Sequence, residues 1–165
     1  MQKLQALTSY LRDPEILKNA GIQCNPERID FWASSGTPDY LGETTPNGLY
    51  LFDHEYQGMI EMEDVAGDIR ILIALVETWL TERDPDRDRL DDDKIRWKGE
   101  PVDDGLSDIA ISLWFYEKTH FAAVAEENPA VPFLVYRGRK YALRPETFET
   151  AEELQNNDVT VTLEK

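Results

Sequence analysis

Residues 106–118 read LSDIAISLWFYEK, and their two-residue rhythm decides the fold class. Successive residues of a strand point to opposite faces. Ile109, Ile111, Leu113 and Phe115 therefore line one apolar face, and Asp108, Ala110, Ser112, Trp114 and Tyr116 line the other. The second face begins polar and ends in two large aromatics. Trp114 and Tyr116 need a cover, supplied either by residues 119–165 or by a neighbouring subunit.

Moving upstream, KIRWKG at 94–99 alternates Ile95 and Trp97 with Lys94, Arg96 and Lys98. It reads as a strand joined to the first by the turn residues EPVDDG, a β-hairpin. Its basic row is placed to pair with acids on a neighbouring strand. Residues 69–83, IRILIALVETWLTER, carry Ile69, Leu72, Ile73, Val76, Trp79 and Leu80 at helical spacing behind the N-cap Asp68. Ile71 and Leu75 widen that stripe beyond one face, so this helix is deeply buried or shared with a partner. Residues 49–63, LYLFDHEYQGMIEME, form another strand. His54, Tyr56, Gly58, Ile60 and Met62 share its inner face, and Glu55, Gln57, Met59, Glu61 and Glu63 its acidic outer face, with Gly58 expected to mark a bulge. RIDFWAS at 28–34 is a short strand, and GTPDYLGETTPNG at 36–48, rich in Gly and Pro, reads as a loop. Residues 2–20 read as helical, broken near Asp13-Pro14. Downstream, FLVYRGRKYALR at 133–144 forms a hairpin with a basic turn at Arg137-Gly138-Arg139, and VTVTLEK at 159–165 a terminal strand.

These elements define an α+β fold: a small, mostly antiparallel sheet of about four strands plus a C-terminal hairpin, packed against two helices. Residues 1–118 form its main unit. Residues 119–165 form an extension packed on that unit or reaching a neighbour.

The chain has 165 residues, one domain's worth, and a formal charge of −16. Non-specific DNA affinity comes from cationic contacts, so direct nucleic-acid recognition is not expected. The charge is uneven. Between Arg28 and Arg70 there is no Lys or Arg, while Asp30, Asp39, Glu43, Asp53, Glu55, Glu61, Glu63, Asp64 and Asp68 all carry negative charge. No apolar run approaches the ~18–20 residues of a membrane helix, and the first residues lack a signal-peptide pattern. Cys24 stands alone, which excludes an intrachain disulfide.

Few residues suggest chemistry. His54 lies on the apolar face of its strand, and His120 lies at a strand end. No GxSxG, P-loop, GxGxxG or HExxH pattern occurs. DPDRDRLDDD at 84–93 has acids at calcium-loop spacing, but its sixth position is Arg89 and its twelfth Ile95, where such loops need Gly and Glu. It reads as a solvated charged loop. The expectation is a protein without catalytic residues, cofactor or metal, acting through contacts.

The opening MQKLQALTSYL, the junction DVAGD at 64–68 and SDIAISL at 107–113 resemble the tail completion protein R (GpR) family of contractile-tailed temperate bacteriophages. The resemblance covers about residues 1–118. It implies a virion tail component, made in the cytoplasm of the bacterial host, that acts at the head-proximal end of the tail. There it would complete or terminate the tail and allow head–tail joining. It further implies a tail-terminator-like fold assembled as a homo-oligomeric ring, commonly a hexamer. Its partners would be tail tube, sheath and neck or head completion proteins.

A ring needs two different surfaces on each subunit. Trp114 with Tyr116, and Ile71 with Leu75, are the candidates. Glu55, Glu61 and Glu63 would face a DNA-passing lumen or a basic tail partner. Two alternatives fit the same residues: a stand-alone acidic binding module, such as a DNA-mimicking inhibitor, and a small hydrolase using the Asp-rich loop and a histidine.

Overall fold

The computed structural model describes residues 1–46, 48–103, 105–124 and 132–143. Three helices, α1 (Gln2–Leu11), α2 (Pro14–Asn19) and α3 (Ile69–Arg83), accompany six strands: β1 (Ile29–Thr45), β2 (Gly48–Val65), β3 (Arg96–Pro101), β4 (Ser107–Ala123), β5 (Leu134–Tyr136) and β6 (Arg139–Leu143). The α+β reading and the mostly antiparallel sheet hold, with one more helix than expected. The terminal segment VTVTLEK lies outside the described residues.

The first helical segment divides where Asp13-Pro14 predicts. Asp13 caps α2, its carboxylate accepting from the Glu15 amide at 2.9 Å. Asp68 does the same for α3, accepting from the Arg70 amide at 2.9 Å. Each cap satisfies an amide that the first turn of a helix leaves free.

All strand pairs are antiparallel, in the order β1-β2-β4-β6-β5, with β3 also on β4. β3 pairs with residues 107–112 of β4 and β6 with residues 121–123, on the edge away from β2. Between these two partners β4 has a gap among the described residues. The sheet curls until its terminal strands meet: the Tyr136 hydroxyl on β5 lies 2.8 Å from the Tyr40 hydroxyl on β1.

The core lies on one side of the sheet. Leu4, Leu7 and Leu11 of α1 and Leu72, Val76, Trp79 and Leu80 of α3 pack on Ile29, Tyr56, Ile60, Met62, Ile109, Ile111, Leu113 and Phe115. Every inward position read from LSDIAISLWF is therefore used. Fully burying one such side chain contributes roughly 1.5–3 kcal/mol.

Residues 36–45, read as loop, are strand. β1 and β2 form one long hairpin paired from Ile29↔Met62 to Thr45↔Gly48. Pro38 is tolerated because β1 ends the sheet and lacks a second ladder among the described residues. Gly42, with φ +64°, takes up the register shift between Tyr40 and Glu43. Gly and Pro thus mark irregularities within a strand here.

Gly58 serves close packing. The bulge beside it falls in β1, between Ala33 and Ser35, while β2 and β4 stay in register across Gly58↔Leu113. A Cβ on Gly58 would lie 2.9 Å from both Leu4 Cδ1 and Phe115 Cε2. Gly58→Ala is expected to push α1 off the sheet and cost about 1–3 kcal/mol, read as a lower urea midpoint. An unchanged midpoint would show that Leu4 yields freely.

Candidate functional site

Helices cover one face of the sheet. The opposite face, near β3, is uncovered among the described residues, and the ladder register sets what it displays. Asp30, Glu61, Ala110 and Lys98 are cross-strand partners in one row, and Trp32, Met59, Ser112 and Arg96 in the next. Trp114 lies opposite Gln57, one step along β4 from Ser112 on the same face, and so diagonal to Met59. Trp32, Met59 and Trp114 therefore make an oblique apolar stripe across three strands. Trp32 is 41% exposed, and Met59 and Trp114 are half-buried.

Acids border this stripe. Asp30 and Glu61 are exposed and directly opposite each other, an arrangement that like charges disfavour. Glu63 is exposed, 3.7 Å from Arg28. Glu55 is half-buried, across from Tyr116 and Thr37. The three glutamates thus share a face, as read, but differ in exposure and partners.

The basic row of β3 does not pair across strands. Arg96 binds Asp92 at 2.7 Å, and Lys98 binds Glu100. The cross-strand neighbours on β4 are Ser112 and Ala110, which offer no charge.

Tyr116 is covered by a part of the chain that neither expectation named. The loop 84–93 leaves α3 on the helix-covered side and passes the β4 gap. There Arg87 Nη1 donates to the Trp114 carbonyl at 3.3 Å. Arg89 then lies over the Tyr116 ring, 5.1 Å to its centroid, and donates to its hydroxyl at 3.1 Å. The Tyr116 hydroxyl in turn donates to Asp53. Tyr116 is 8% exposed, so its ring serves this clamp. The Asp-rich loop is a strap, with two arginines that do the fastening.

The same loop begins at a buried ion pair. Lys3 Nζ lies 2.5 Å from Asp84, with side chains 8% and 0% exposed, and 3.5 Å from Asp86. Beside it, Glu117 caps α1 from the sheet. Its carboxylate accepts from the Lys3 amide at 2.7 Å, the Gln2 amide at 3.1 Å and the Tyr56 hydroxyl at 2.5 Å. Burial raises the Glu117 carboxyl, but the bonds from Tyr56 and Lys3, the N-terminal ammonium 3.1 Å away and the bond from Gln2 outweigh it and hold it below the usual glutamate range. Burial, with the Glu117 charge and hydrogen bond, drives the Tyr56 phenol far above its ordinary range. Glu117 continues the inward rhythm of Leu113 and Phe115, so an acid in an apolar row was the signal for it. The Lys3–Asp84 pair spans 81 residues and left no local signal.

Ile71 and Leu75 lie in the helical layer, away from Trp114. Ile71 is 43% exposed, and Leu75 packs on the margin of the core. Nearby, a cleft of about 240 Å³ opens between the start of α3 and β3, lined by Ile22, Ile69, Leu72, Trp97, Gly99 and Ile109 among others. His54 packs in an aromatic row, 6.1 Å from Phe52 and 5.3 Å from Tyr56. His120 stacks on Tyr50 at 4.3 Å. Cys24 is half-buried, its thiol raised by burial and by Asp64. Among the described residues, no three His, Cys, Asp or Glu are grouped to hold a metal ion, and no helix is long and apolar enough to cross a membrane.

Comparison with known proteins gives two findings. The family model described as P2 phage tail completion protein R (GpR) matches residues 1–137. An uncharacterized 19.2 kDa protein from the rep-hol intergenic region of Haemophilus phage HP1 (strain HP1c1) is 30% identical over 125 residues, covering 74% of this chain and 70% of that protein. No solved structure matches.

Proposed function

Because this chain belongs to the P2 phage tail completion protein R family, a structural family of the phage tail, we propose that it acts at the head-proximal end of the tail, as a ring of copies that finishes the tail and readies it to join a filled head. Membership makes it a tail completion protein, a virion component that meets other tail proteins. The ring, its head-proximal place and its tube, sheath and neck partners are the finer reading. One observation carries that reading: among the described residues helices cover one side of the sheet only, and Trp32 at 41% and Trp97 at 51% exposure stand on strands at opposite margins of the sheet. Two unlike surfaces on one subunit suit head-to-tail closure.

Glu61 and Glu63, and to a lesser degree the half-buried Glu55, would face the lumen or a basic tail partner. A channel that passes DNA works best when it does not hold phosphate, and carboxylates repel it.

The test is complementation. A phage lacking the corresponding gene should accumulate filled heads and unjoined tails, and the purified chain should raise its titre. The solution mass, from light scattering on a sizing column across salt and concentration, should include a discrete closed oligomer. Rescue of titre without any ring on tail ends by electron microscopy would remove the ring and keep the completion role. Normal head joining in the gene's absence would remove the head-proximal role.

A further inference from the structure

We propose that the basic β5–β6 hairpin of one copy docks on the acid-bordered Trp32–Met59–Trp114 stripe of the next. The inference rests on the ring reading, assigns its contact, and moves Glu61 from the lumen-facing set to the subunit contact, leaving Glu63 and Glu55 to the lumen.

Two observations meet here. The first is the stripe, where Asp30 and Glu61 stand opposite each other in the ladder. Neither has an ion-pair partner among the described residues. Holding two carboxylates side by side on an exposed sheet face costs stability, which a cation from outside would offset. The second is the hairpin. Arg137, Arg139 and Lys140 surround a tight turn in which Arg137 and Gly138 have φ +49° and +78°. Among the described residues none of the three makes an ion pair. Arg137 lies over the Tyr136 ring at 5.2 Å, and Lys140 over the Phe133 ring at 4.9 Å. Val135 is 63% exposed and Leu143 59% exposed. The hairpin thus presents cations on an apolar base, and the stripe presents apolar side chains with Asp30 and Glu61 along its β1–β2 side, while Arg96 and Lys98 at its β3 end are already held by Asp92 and Glu100.

A chain cannot make this contact with itself. Ala110 of β4 lies in the Asp30–Glu61 row, while Ala122 of β4 pairs with Ala142 of the hairpin. Twelve residues of strand separate them, about 40 Å at ~3.3 Å per residue. Net charge selects the occupant's surface as well. Two copies meeting stripe to stripe would oppose their acidic borders, on chains that each carry −16. Hairpin against stripe brings unlike charges together and repeats head to tail.

Two full-length variants test it: Asp30→Lys/Glu61→Lys on the stripe, and Arg137→Glu/Arg139→Glu/Lys140→Glu on the hairpin. Each alone opposes like charges at the contact, and association is expected to weaken about 100-fold or more. Mixed in equal amounts, the two variants alternate complementary surfaces and should regain the wild-type mass. Circular dichroism and thermal melts should show both folded. Reversed hairpins that assemble like wild type would overturn the contact while leaving the ring in place. Should the wild type be monomeric in solution, carbodiimide cross-linking of mixed ¹⁴N- and ¹⁵N-labelled copies on tails must join Lys140 to Asp30 or Glu61. Its absence overturns the proposal. Cross-links with an open-ended series of masses would keep the contact and discard the closed ring.

Discussion

Asp84→Ala is expected to lower stability by about 3–5 kcal/mol, the cost of leaving one member of a buried ion pair without the other. The side chain of Asp84 is fully enclosed and that of Lys3 is 8% exposed. Asp84 is also the C-cap of α3, where the helix dipole disfavours a negative charge. Lys3 offsets both terms and ties the first helix to the end of the third. Lys3→Met/Asp84→Leu removes both charges and should recover most of the loss, because neither then needs desolvation. Urea midpoints at constant slope read both outcomes. A loss below about 0.5 kcal/mol for Asp84→Ala, within the range of ordinary surface substitutions, would mean that water reaches the pair.

Glu117→Ala removes one acceptor from four donors, one of them the N-terminal ammonium at 3.1 Å. The Tyr56 hydroxyl and the Gln2 and Lys3 amides would each need a new partner. At about 1–3 kcal/mol for a buried unsatisfied group, and with water able to reach the helix end, a net loss of about 2–4 kcal/mol is expected. The pH dependence gives an independent check. The folded carboxyl lies below its ordinary value near 4.5. Its contribution is therefore present above that value and lost as pH falls through the folded one, since the unfolded chain then takes up the proton more readily. Glu117→Gln keeps an acceptor and removes this titration. It should flatten the acid limb of the stability curve and cost less than alanine near neutrality. An acid limb identical to wild type would mean that another carboxylate governs acid unfolding.

Period-two patterning carried the sheet because it is a local property. The inward faces of β2 and β4 were readable residue by residue, and Asp13 and Asp68 announced their helices through cap chemistry. The failures were non-local. Residues 36–45 contain loop residues yet form strand, because a partner strand fixes backbone that composition alone would leave free. The cover of Tyr116 came from Arg89, 27 residues earlier in the chain. That contact required knowing that β4, among the described residues, is unpaired between β3 and β6. The Asp-rich loop was judged by its acids, whereas Arg87 and Arg89 hold it in place. The Trp32–Met59–Trp114 stripe needed the register of three strands before its members became neighbours.

The long β2–β4 ladder, paired from Gly48↔Ala122 to Val65↔Ser107, also has a mechanical meaning. Antiparallel hydrogen bonds run across the strands. A pull directed along β4 therefore loads many of them in shear at once, so they must give way together rather than one after another. The strap at Arg87 and Arg89 adds a cross-tie midway. Tension entering at one end of β4 would be carried to the other with little stretch.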